Sequence, residues 1–442
     1  VRSPGHPERR AMAGGGGPGM SVASDRRADL AACVHCGFCL PTCPTYVLWR
    51  QEMDSPRGRL HLMKAEADGR VPIAEALVGR MDACLGCLAC TTACPSGVEY
   101  GPLIEQARAG IEAEFRRPLG DRLFRTLLFQ ALPYPSRLRW VAAPMAAVAA
   151  IGDWLDRRGW LDWLPARLCA LVRLAPRSVA AGGSLPARTP ALGTRRATVG
   201  LLTGCVQRVF FGDVNWATAR VLAAEGCDVV VPGDQGCCGA LALHAGREDE
   251  ARGFARRLIA VFERSGVDRI AVNVAGCGAA MKEYGRLFAD DPEWAARAAA
   301  FAARVGDVSA VLDEVGPVRA TRHPIDARVA YHDPCHLAHG QGVRAQPRRL
   351  LEAIPGLSVV TPAEGELCCG SAGIYNLVQP EAAAALGARK IAAITELDTD
   401  LVATGNAGCL LQLAAAGRAA GRPMRLVHPI EIVDASIRGT RP

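Results

Sequence analysis

The stretches CVHCGFCLPTCP at residues 33–44 and CLGCLACTTACP at residues 84–95 follow one pattern, C-x2-C-x2-C-x3-C-P. Cysteine thiolates in runs of this spacing hold [4Fe-4S] clusters. Zinc sites also use four cysteines, but they favour two C-x-x-C pairs over a run of three plus one. The two runs therefore predict iron-sulfur clusters near the N-terminus of the chain.

The two runs resemble those of two-cluster ferredoxins, in which the fourth cysteine of each run ligates the other cluster. Carried over to this chain, the resemblance implies two [4Fe-4S] clusters. One would be held by Cys33, Cys36, Cys39 and Cys94, and the other by Cys84, Cys87, Cys90 and Cys43. Small residues such as Gly37 and Gly86 let backbone N–H groups approach the sulfur atoms, and such hydrogen bonds help to set the potential.

A two-cluster domain is an electron relay, because cubane clusters pass single electrons and do not themselves oxidise an organic substrate. A two-electron step needs another cofactor, usually a flavin. The run Gly14 to Gly17 follows no predicted strand, and no G-x-G-x-x-G opens a helix elsewhere. We therefore expect FAD on partner subunits and no catalytic residue in this chain.

The second half of the chain repeats itself. Cys205 is matched by Cys335, the pair Cys237-Cys238 by Cys368-Cys369, and Cys277 by Cys409, at offsets of 130, 131 and 132 residues. Each half has the form Cys, about thirty residues, Cys-Cys-Gly, just under forty residues, Cys. This periodicity predicts two homologous units that arose by duplication.

Runs of β-forming residues precede these cysteines, as in ATVGLLTGC and ARVAYHDPC, and amphipathic helical patterns lie between the runs. Alternating strands and helices predict a parallel α/β sheet in each half. The cysteines then fall at the carboxyl ends of strands, where open α/β sheets bind their ligands. We expect thiols that are distant in sequence to converge there.

The Cys-Cys pairs have three interpretations: buried structural thiols, a vicinal disulfide, or part of a further metal site. The repeated layout favours metal, either another iron-sulfur cluster or zinc, on Cys205, Cys237, Cys238, Cys277, Cys335, Cys368, Cys369 and Cys409. His332, His336 and His339 surround Cys335, and we expect them to be structural or to support the metal ligands. Cys169 and Cys227 fall outside every pattern and are expected in the core.

The layout resembles the cysteine-rich CCG repeats of the heterodisulfide reductase catalytic subunit, in which such cysteines hold an unusual iron-sulfur cluster. There the last cysteine continues as C-x-x-C. Here Cys277 is followed by GAA and Cys409 by LLQ, so the fifth thiol is absent in both halves. Four thiols per repeat remain, enough for a cluster or a zinc ion.

The predicted fold class is α+β and α/β: a helical ferredoxin-type domain followed by two homologous CCG repeats with parallel sheets. The predicted boundaries are a disordered lead at 1–24, the two-cluster domain at 25–110, a helical connector at 111–176, a linker at 177–195, and repeats at 196–325 and 326–442. The lead lacks the apolar segment of a signal peptide.

The charge and hydropathy of the chain bear on whether it binds nucleic acid or spans a membrane. The net charge of +7 is modest for 442 residues and is spread along the chain, so nucleic-acid binding is not expected. The longest uncharged apolar stretch, at residues 141–151, is too short to span a membrane. Trp154, Trp160 and Trp163 lie among arginines that suit a membrane interface, although core packing is the commoner role of such residues.

With both runs and both repeats in place, the chain resembles the glycolate oxidase iron-sulfur subunit family from about residue 25 onward. The stretches that carry the resemblance include CGFCLPTCPTYVL, MDSPRGRLHLMK, CLGCLACTTACPSGVEY, GCGAAMKEYG, LCCGSAGIYNL and HPIEIVDAS. In SPRGR, Ser55 and Pro56 also suit a helix start.

The resemblance implies a complex in which flavoprotein subunits oxidise glycolate to glyoxylate and this subunit passes the electrons to a membrane quinone pool. It also implies a cytoplasmic protein that lies peripherally on the cytoplasmic face of the membrane. The alternatives are the iron-sulfur subunit of a lactate or anaerobic glycerol-3-phosphate dehydrogenase, a heterodisulfide-reductase-like thiol reductase, and a zinc-binding module without redox function.

Overall fold

A computed structural model describes residues 30–156, 158–177 and 183–442. The first part is a compact set of short helices around the two cysteine runs. These helices are α1 (Pro44–Trp49), α2 (Pro56–Ala67), α3 (Glu75–Asp82), α4 (Ala89–Thr92) and α5 (Tyr100–Glu114). The predicted disordered lead at 1–24 lies outside the described residues.

Helix α2 begins as its sequence predicts. The Ser55 hydroxyl accepts a hydrogen bond from the Gly58 N–H at 3.0 Å, and Pro56 occupies the first helical turn. A side-chain acceptor at this position satisfies one of the N–H groups that a helix start leaves unpaired. The predicted cap is therefore confirmed, and it fixes the direction in which the helix carries Arg59.

Three helices follow between the cluster domain and the repeats: α6 (Leu119–Ala131), α7 (Pro135–Asp156) and α8 (Ala166–Leu174). Leu128 and Phe129 of α6 pack against Ile374 and Leu377 of the second repeat. Leu138 of α7 packs against the segment that follows Cys205 in the first repeat. The three helices therefore cover both repeats.

The first repeat contains β1 (Arg188–Thr189), β2 (Ala197–Leu202), α9 (Val206–Phe210), α10 (Gly212–Ala224), β3 (Cys227–Val230), α11 (Ala240–His244), α12 (Glu248–Arg264), β4 (Arg269–Val272), α13 (Ala275–Lys282), α14 (Tyr284–Leu287), α15 (Ala295–Arg304), β5 (Val305–Asp307) and α16 (Val308–Val315). The second contains β6 (Ala327–Tyr331), α17 (Ala345–Glu352), β7 (Leu357–Val360), α18 (Tyr375–Val378), α19 (Pro380–Thr395), β8 (Leu401–Ala403), α20 (Ala407–Ala419), β9 (Leu426–Val427) and α21 (Pro429–Arg438).

The two sheets have the same strand order. The first runs β3-β2-β4-β5 and the second β7-β6-β8-β9, with all these neighbours parallel. The first sheet carries one addition, because β1 pairs antiparallel with the edge strand β3. Matching topology is what duplication predicts, and the predicted fold class of a helical domain followed by two parallel α/β repeats is confirmed.

The two repeats share one apolar core. Leu222 of the first repeat and Leu351 and Val433 of the second are fully buried in the same cluster of side chains. An ion pair between Arg220 and Asp434 at 2.6 Å borders this core. The two units therefore pack against each other through apolar surface that neither buries alone.

The tryptophans after α7 do not fill a core. The side chains of Trp160 and Trp163 are 54% and 90% exposed, and Trp140 on α7 is 86% exposed. The expectation of core packing is therefore wrong for this segment. Large aromatic side chains normally bury most of their surface, so the exposure of these three is unusual.

Candidate metal centres

The two ferredoxin-type runs have the same backbone conformation. The third and fifth residues of each run are left-handed: His35 (φ 55°) and Gly37 (φ 86°) in the first, Gly86 (φ 64°) and Leu88 (φ 63°) in the second. Left-handed backbone is uncommon for residues with a side chain such as Leu88. Its repetition at equivalent positions shows that both loops wrap their cysteines in the same way.

The first group of thiols lies at the surface. Cys33, Cys36, Cys39 and Cys94 line one small cavity of about 30 Å³, together with Cys90, and Cys36 is exposed. Beside them, the Val34 and Phe38 side chains are 67% and 66% exposed. The four thiols that the resemblance implies for one cluster therefore lie near one another, and Cys90 of the other predicted set lies beside them.

The second group is buried. Cys43, Cys84, Cys87 and Cys90 lie in the interior, and they influence one another's charge. Burial, and then the neighbouring thiols Cys335 and Cys90, raises the pKa of Cys87 well above its ordinary value. Crowded buried thiols of this kind are stabilised as thiolates by a cationic iron centre, so the donor set fits a cluster.

Cys84 differs from the other buried thiols. Burial alone would raise its pKa, but the Arg59 and Arg108 guanidiniums, the Gly86 N–H and the Tyr100 hydroxyl lower the pKa of Cys84 below its ordinary value. The Gly86 N–H lies 3.4 Å and the Tyr100 hydroxyl 3.6 Å from the Cys84 Sγ atom. The thiolate form, which binds iron, is therefore favoured at this position.

Arg59 is the buried cation of the inner group and was not singled out from the sequence. Its side chain is 1% exposed, and it donates hydrogen bonds to the Arg80 carbonyl (2.7 Å) and the Thr45 hydroxyl (3.1 Å). Burial alone would lower the pKa of Arg59, but Cys84 and Tyr100 raise it, so the guanidinium stays charged. In the sequence, Arg59 could be noticed as the last residue of SPRGR, the motif that predicts the start of α2.

In the first repeat the cysteines follow β2, β3 and β4. The Sγ atoms of Cys205 and Cys237 lie 3.6 Å apart, and Cys238 neighbours both Cys237 and Cys277. The adjacent Cys237 thiol, and then burial, raises the pKa of Cys205 well above its ordinary value. Four thiols at the carboxyl ends of three parallel strands thus meet in one place.

In the second repeat a histidine joins the cysteines. Cys335 and Cys368 have Sγ atoms 3.9 Å apart. The candidate ligand atoms of His332, Cys369 and Cys409 all lie within 4.8 Å of one another, and all three residues are buried. The Cys368 and Cys409 thiols, with help from His332, lower the pKa of Cys369 well below its ordinary value. The donor set of sulfur with one imidazole fits zinc or an iron-sulfur cluster.

The second repeat touches the ferredoxin-type domain directly. His336 Nε2 lies 2.9 Å from the Gly86 carbonyl oxygen, and His339 Nδ1 lies 2.7 Å from the Thr92 hydroxyl. Next to His336 in the chain, Cys335 packs against the cluster of buried residues that contains Cys87, and the two thiols are close enough to affect each other's charge. Two of the three histidines therefore join the domains through polar contacts, and the third, His332, lies with the thiols.

A larger cavity of about 350 Å³ lies between the linking helices and the repeats. Its thiol lining consists of Cys84, Cys205, Cys237, Cys238, Cys277 and Cys335. The sequence predicted converging thiols but not this cavity, since the helices α6 to α8 that close it carry no metal-binding motif. Cys169 and Cys227, expected in the core, are buried.

Three family models match four parts of the chain. A 4Fe-4S dicluster domain matches residues 29–98, and the linker region of the glycolate oxidase iron-sulfur subunit matches residues 120–175. A cysteine-rich domain matches twice, at residues 199–282 and 329–414. The matched regions cover the two cysteine runs, nearly all of α6 to α8, and the part of each repeat that carries its four cysteines.

Several curated proteins are similar over most of the chain. The probable glycolate oxidase iron-sulfur subunit of Bacillus subtilis (strain 168) is 38% identical over 87% of this chain and 88% of its own length. The glycolate oxidase iron-sulfur subunit of Escherichia coli (strain K12) is 34% identical over 92% and 94%. Lactate utilization protein A of Exiguobacterium sp. is 28% identical, over 54% of this chain and 98% of its own length.

Proposed function

Because the chain belongs to the family of glycolate oxidase iron-sulfur subunits, we propose that it relays electrons from flavoprotein subunits, which oxidise glycolate to glyoxylate, towards membrane quinone. The contact between Cys87 of the inner cysteine group and Cys335 of the second repeat carries this proposal. It supports the proposal because a relay requires successive metal-binding groups to lie close together.

The different exposure of the two cysteine groups supports an order of electron transfer. The group with the exposed Cys36 receives electrons from the flavoprotein, since the exposed Val34 and Phe38 offer a partner an apolar contact. The buried group with Cys87 comes next, and the second repeat follows through Cys335. When bound, each [4Fe-4S] cluster supplies single-electron transfer, and the chain supplies the thiolates and the spacing.

The repeats hold further metal in this proposal. The second repeat, which lies next to the inner group, holds a redox-active iron-sulfur centre on Cys335, Cys368, Cys369 and Cys409 with His332 beside it. The first repeat holds zinc or iron on its four thiols. FAD belongs to the partner subunits.

In this proposal the subunit lies on the membrane through the exposed apolar face of α6 to α8. Most of the large apolar side chains exposed in the described part of the chain lie within residues 119–168, including Trp140, Trp160 and Trp163. The exposed Arg122 and Arg139 lie among them, so the face suits the aromatic and cationic interface of an anionic bilayer. Among the described residues, no helix has the length and apolar character needed to cross a membrane.

Cysteine variants of the two groups test the relay and its order. We expect Cys87→Ser to stop glycolate-driven quinone reduction while leaving the outer group reducible by glycolate. Cys36→Ser should leave every cluster of the chain oxidised. In both variants the flavoprotein should still reduce an artificial dye. Electron paramagnetic resonance with iron quantitation on the anaerobic complex gives the measurement.

Quinone reduction that survives in either variant would contradict the relay. Reduction of the inner group in Cys36→Ser would reverse the proposed order.

Vesicle binding tests the membrane face. We expect Trp140→Ser with Trp163→Ser to lower co-sedimentation with anionic phospholipid vesicles at least fivefold, because each tryptophan buries apolar area in the interface. The matched control is Leu192→Ser with Val318→Ser, which are 64% and 50% exposed outside this face and should bind normally. Loss of flavoprotein binding instead of vesicle binding would assign the face to the partner protein.

A lactate dehydrogenase subunit is the second candidate, because lactate utilization protein A matches part of the chain. That match covers 54% of the chain, whereas the glycolate oxidase subunits match 87% and 92%. The linker-region model at residues 120–175 also favours the glycolate assignment. Reduction of the clusters by glycolate but not by lactate in the complex decides between them.

A further inference from the structure

We infer that the apolar end of the cavity between α6 to α8 and the two repeats binds the ring of a membrane quinone, which is reduced there. The inference rests on the proposed function and adds the acceptor site within this chain. Small-molecule sites have mostly apolar walls and a few polar groups, and the metal proposed on the thiols of the first repeat takes up the other end of this 350 Å³ space.

The cavity has an apolar part and a part lined by thiols. The apolar part comes from the linking helices and from α18, and it includes Leu132, Leu138, Met145, Leu171 and Ile374. The thiol part comes from the loops after the strands of the first repeat, with Cys84 and Cys335 added from the other two metal-binding groups. A ring held against the apolar wall therefore lies beside the thiols from which electrons arrive.

The cavity also adjoins the apolar outer face. Val141 on α7 lines the cavity and is itself 42% exposed, and Trp140, its neighbour, is 86% exposed. One short stretch of α7 therefore connects the interior with the proposed membrane face. A quinone with an isoprenoid tail can reach the cavity there while its tail stays in lipid.

Two histidines from different repeats meet at the cavity. The His244 and His336 rings are 4.9 Å apart, edge to face, and both line the cavity. His244 Nδ1 lies 3.1 Å from Glu105 Oε1, and the other Glu105 oxygen lies 2.8 Å from Arg286. His244 Nε2 is buried and has no hydrogen-bond partner among the described residues. In this inference the unpaired nitrogen pairs with a quinone oxygen.

The reaction balances with groups already named. Bound iron-sulfur centres, reduced by glycolate oxidation, would supply two electrons one at a time and would themselves be reoxidised. Two protons come from solvent, and His244, backed by Glu105, passes one to a quinone oxygen through Nε2. Two O–H bonds form, both carbonyls become C–O single bonds, and the ring becomes aromatic quinol.

Equilibrium binding of a decyl-benzoquinone to the complete, cluster-loaded chain tests the site. Ala131 lines the cavity, so Ala131→Trp should fill it and weaken binding at least tenfold. The matched control is Leu127→Trp on the same helix, because Leu127 is 60% exposed, does not line the cavity, and should bind as the unaltered chain does. Iron content should be unchanged in both variants.

Photolabelling of the unaltered chain with an azido-quinone gives a second measurement that needs no variant. We expect label within 128–145 and 374–378, the segments of the apolar wall. Label confined to other segments, or equal binding by Ala131→Trp and Leu127→Trp, would overturn the inference.

His244→Gln tests whether His244 carries the proton. The variant should slow the reduction of quinone without much change in the affinity for quinone. After reduction with dithionite, reoxidation of the clusters by the quinone should slow on the order of 100-fold, while the quinone Kd changes less than threefold. An unchanged rate would remove His244 from the reaction. Because dithionite replaces the flavoprotein, failure here is separate from failure of glycolate to reduce the clusters, which would contradict the proposed function.

Discussion

The two cysteine-rich repeats have the same strand order and the same cysteine spacing, yet their sites differ. In the first repeat Leu202 stands three residues before Cys205, and in the second His332 stands three residues before Cys335. Leu202 packs in an apolar core, whereas the His332 imidazole lies with Cys369 and Cys409. The two copies share a scaffold, and this one position gives them different sets of candidate metal ligands.

The surroundings of the two sites differ as well. All four cysteines of the first repeat line the large cavity, but of the second repeat's cysteines only Cys335 does so. Cys335 instead faces Cys87 of the ferredoxin-type domain. The comparison therefore suggests a division of roles: the second repeat receives electrons, and the first borders the place where the acceptor binds.

Paired cysteine variants test this division with the largest expected effect. Cys369→Ser with Cys409→Ser should lower glycolate-driven reduction of saturating quinone on the order of 100-fold, because the receiving centre is lost. The matched pair Cys238→Ser with Cys277→Ser should leave the receiving centre reducible by glycolate and raise the quinone concentration needed. Steady-state rates and cluster spectra measure both. Equal losses at saturating quinone would remove the distinction between the repeats.

A second test exchanges the residue at which the two repeats differ, and its expected effect is intermediate in size. His332→Leu should lower the metal affinity of the second repeat about 10- to 100-fold, because outer ligands orient and stabilise the inner ones. Competition with a chelator measures the affinity, and the metal content of the first repeat serves as the internal control. Unchanged metal release would mean that the imidazole plays no part in the site.

The reverse exchange, Leu202→His, should destabilise the first repeat by about 1–3 kcal/mol, because it buries a polar ring without a partner. Chemical denaturation measures the loss. A gain in metal affinity at the first repeat would instead show that the imidazole alone makes the difference between the two sites.

The second repeat should lose stability in acid around His428. Burial lowers the pKa of His428 to about 4, although its Nε2–H donates a hydrogen bond to the Asn273 carbonyl oxygen of the other repeat at 3.0 Å. Its Nδ1 accepts a hydrogen bond from the Ile430 N–H at 3.1 Å, and the protonated ring loses this bond. The unfolded chain, with a histidine pKa of about 6.5, binds a proton first as pH falls. Stability contributed by His428 is therefore complete above about pH 6.5 and declines down to about pH 4.

Between pH 6.5 and 5 the decline should be about 2 kcal/mol, at about 1.4 kcal/mol per pH unit. Denaturant unfolding across this range gives the slope, and His428→Gln provides the comparison because it cannot titrate. An equal slope in the variant would show that other groups carry the acid sensitivity.

Prediction from the sequence succeeded where the signal is local. The cysteine spacing gave the two ferredoxin-type runs, and the strands before Cys205 and Cys335 lie where their β-forming residues predict. The prediction of core packing was wrong for Trp160 and Trp163. The spacing of aromatic residues does not say whether another element packs against that side of the helix. Prediction from the sequence did not find the buried Arg59, whose role depends on thiols 16 and 25 positions away.

The amino-acid sequence alone determined the kinds of ligand, their local spacing and the alternation of strand and helix, because these depend on residues within a few turns of one another. Only the tertiary structure decided that Cys335 meets Cys87, that His244 meets His336, and that α6 to α8 close a cavity while exposing tryptophans. Such contacts join residues far apart in the chain, and they follow from how whole sheets and helices bury their apolar surfaces against each other.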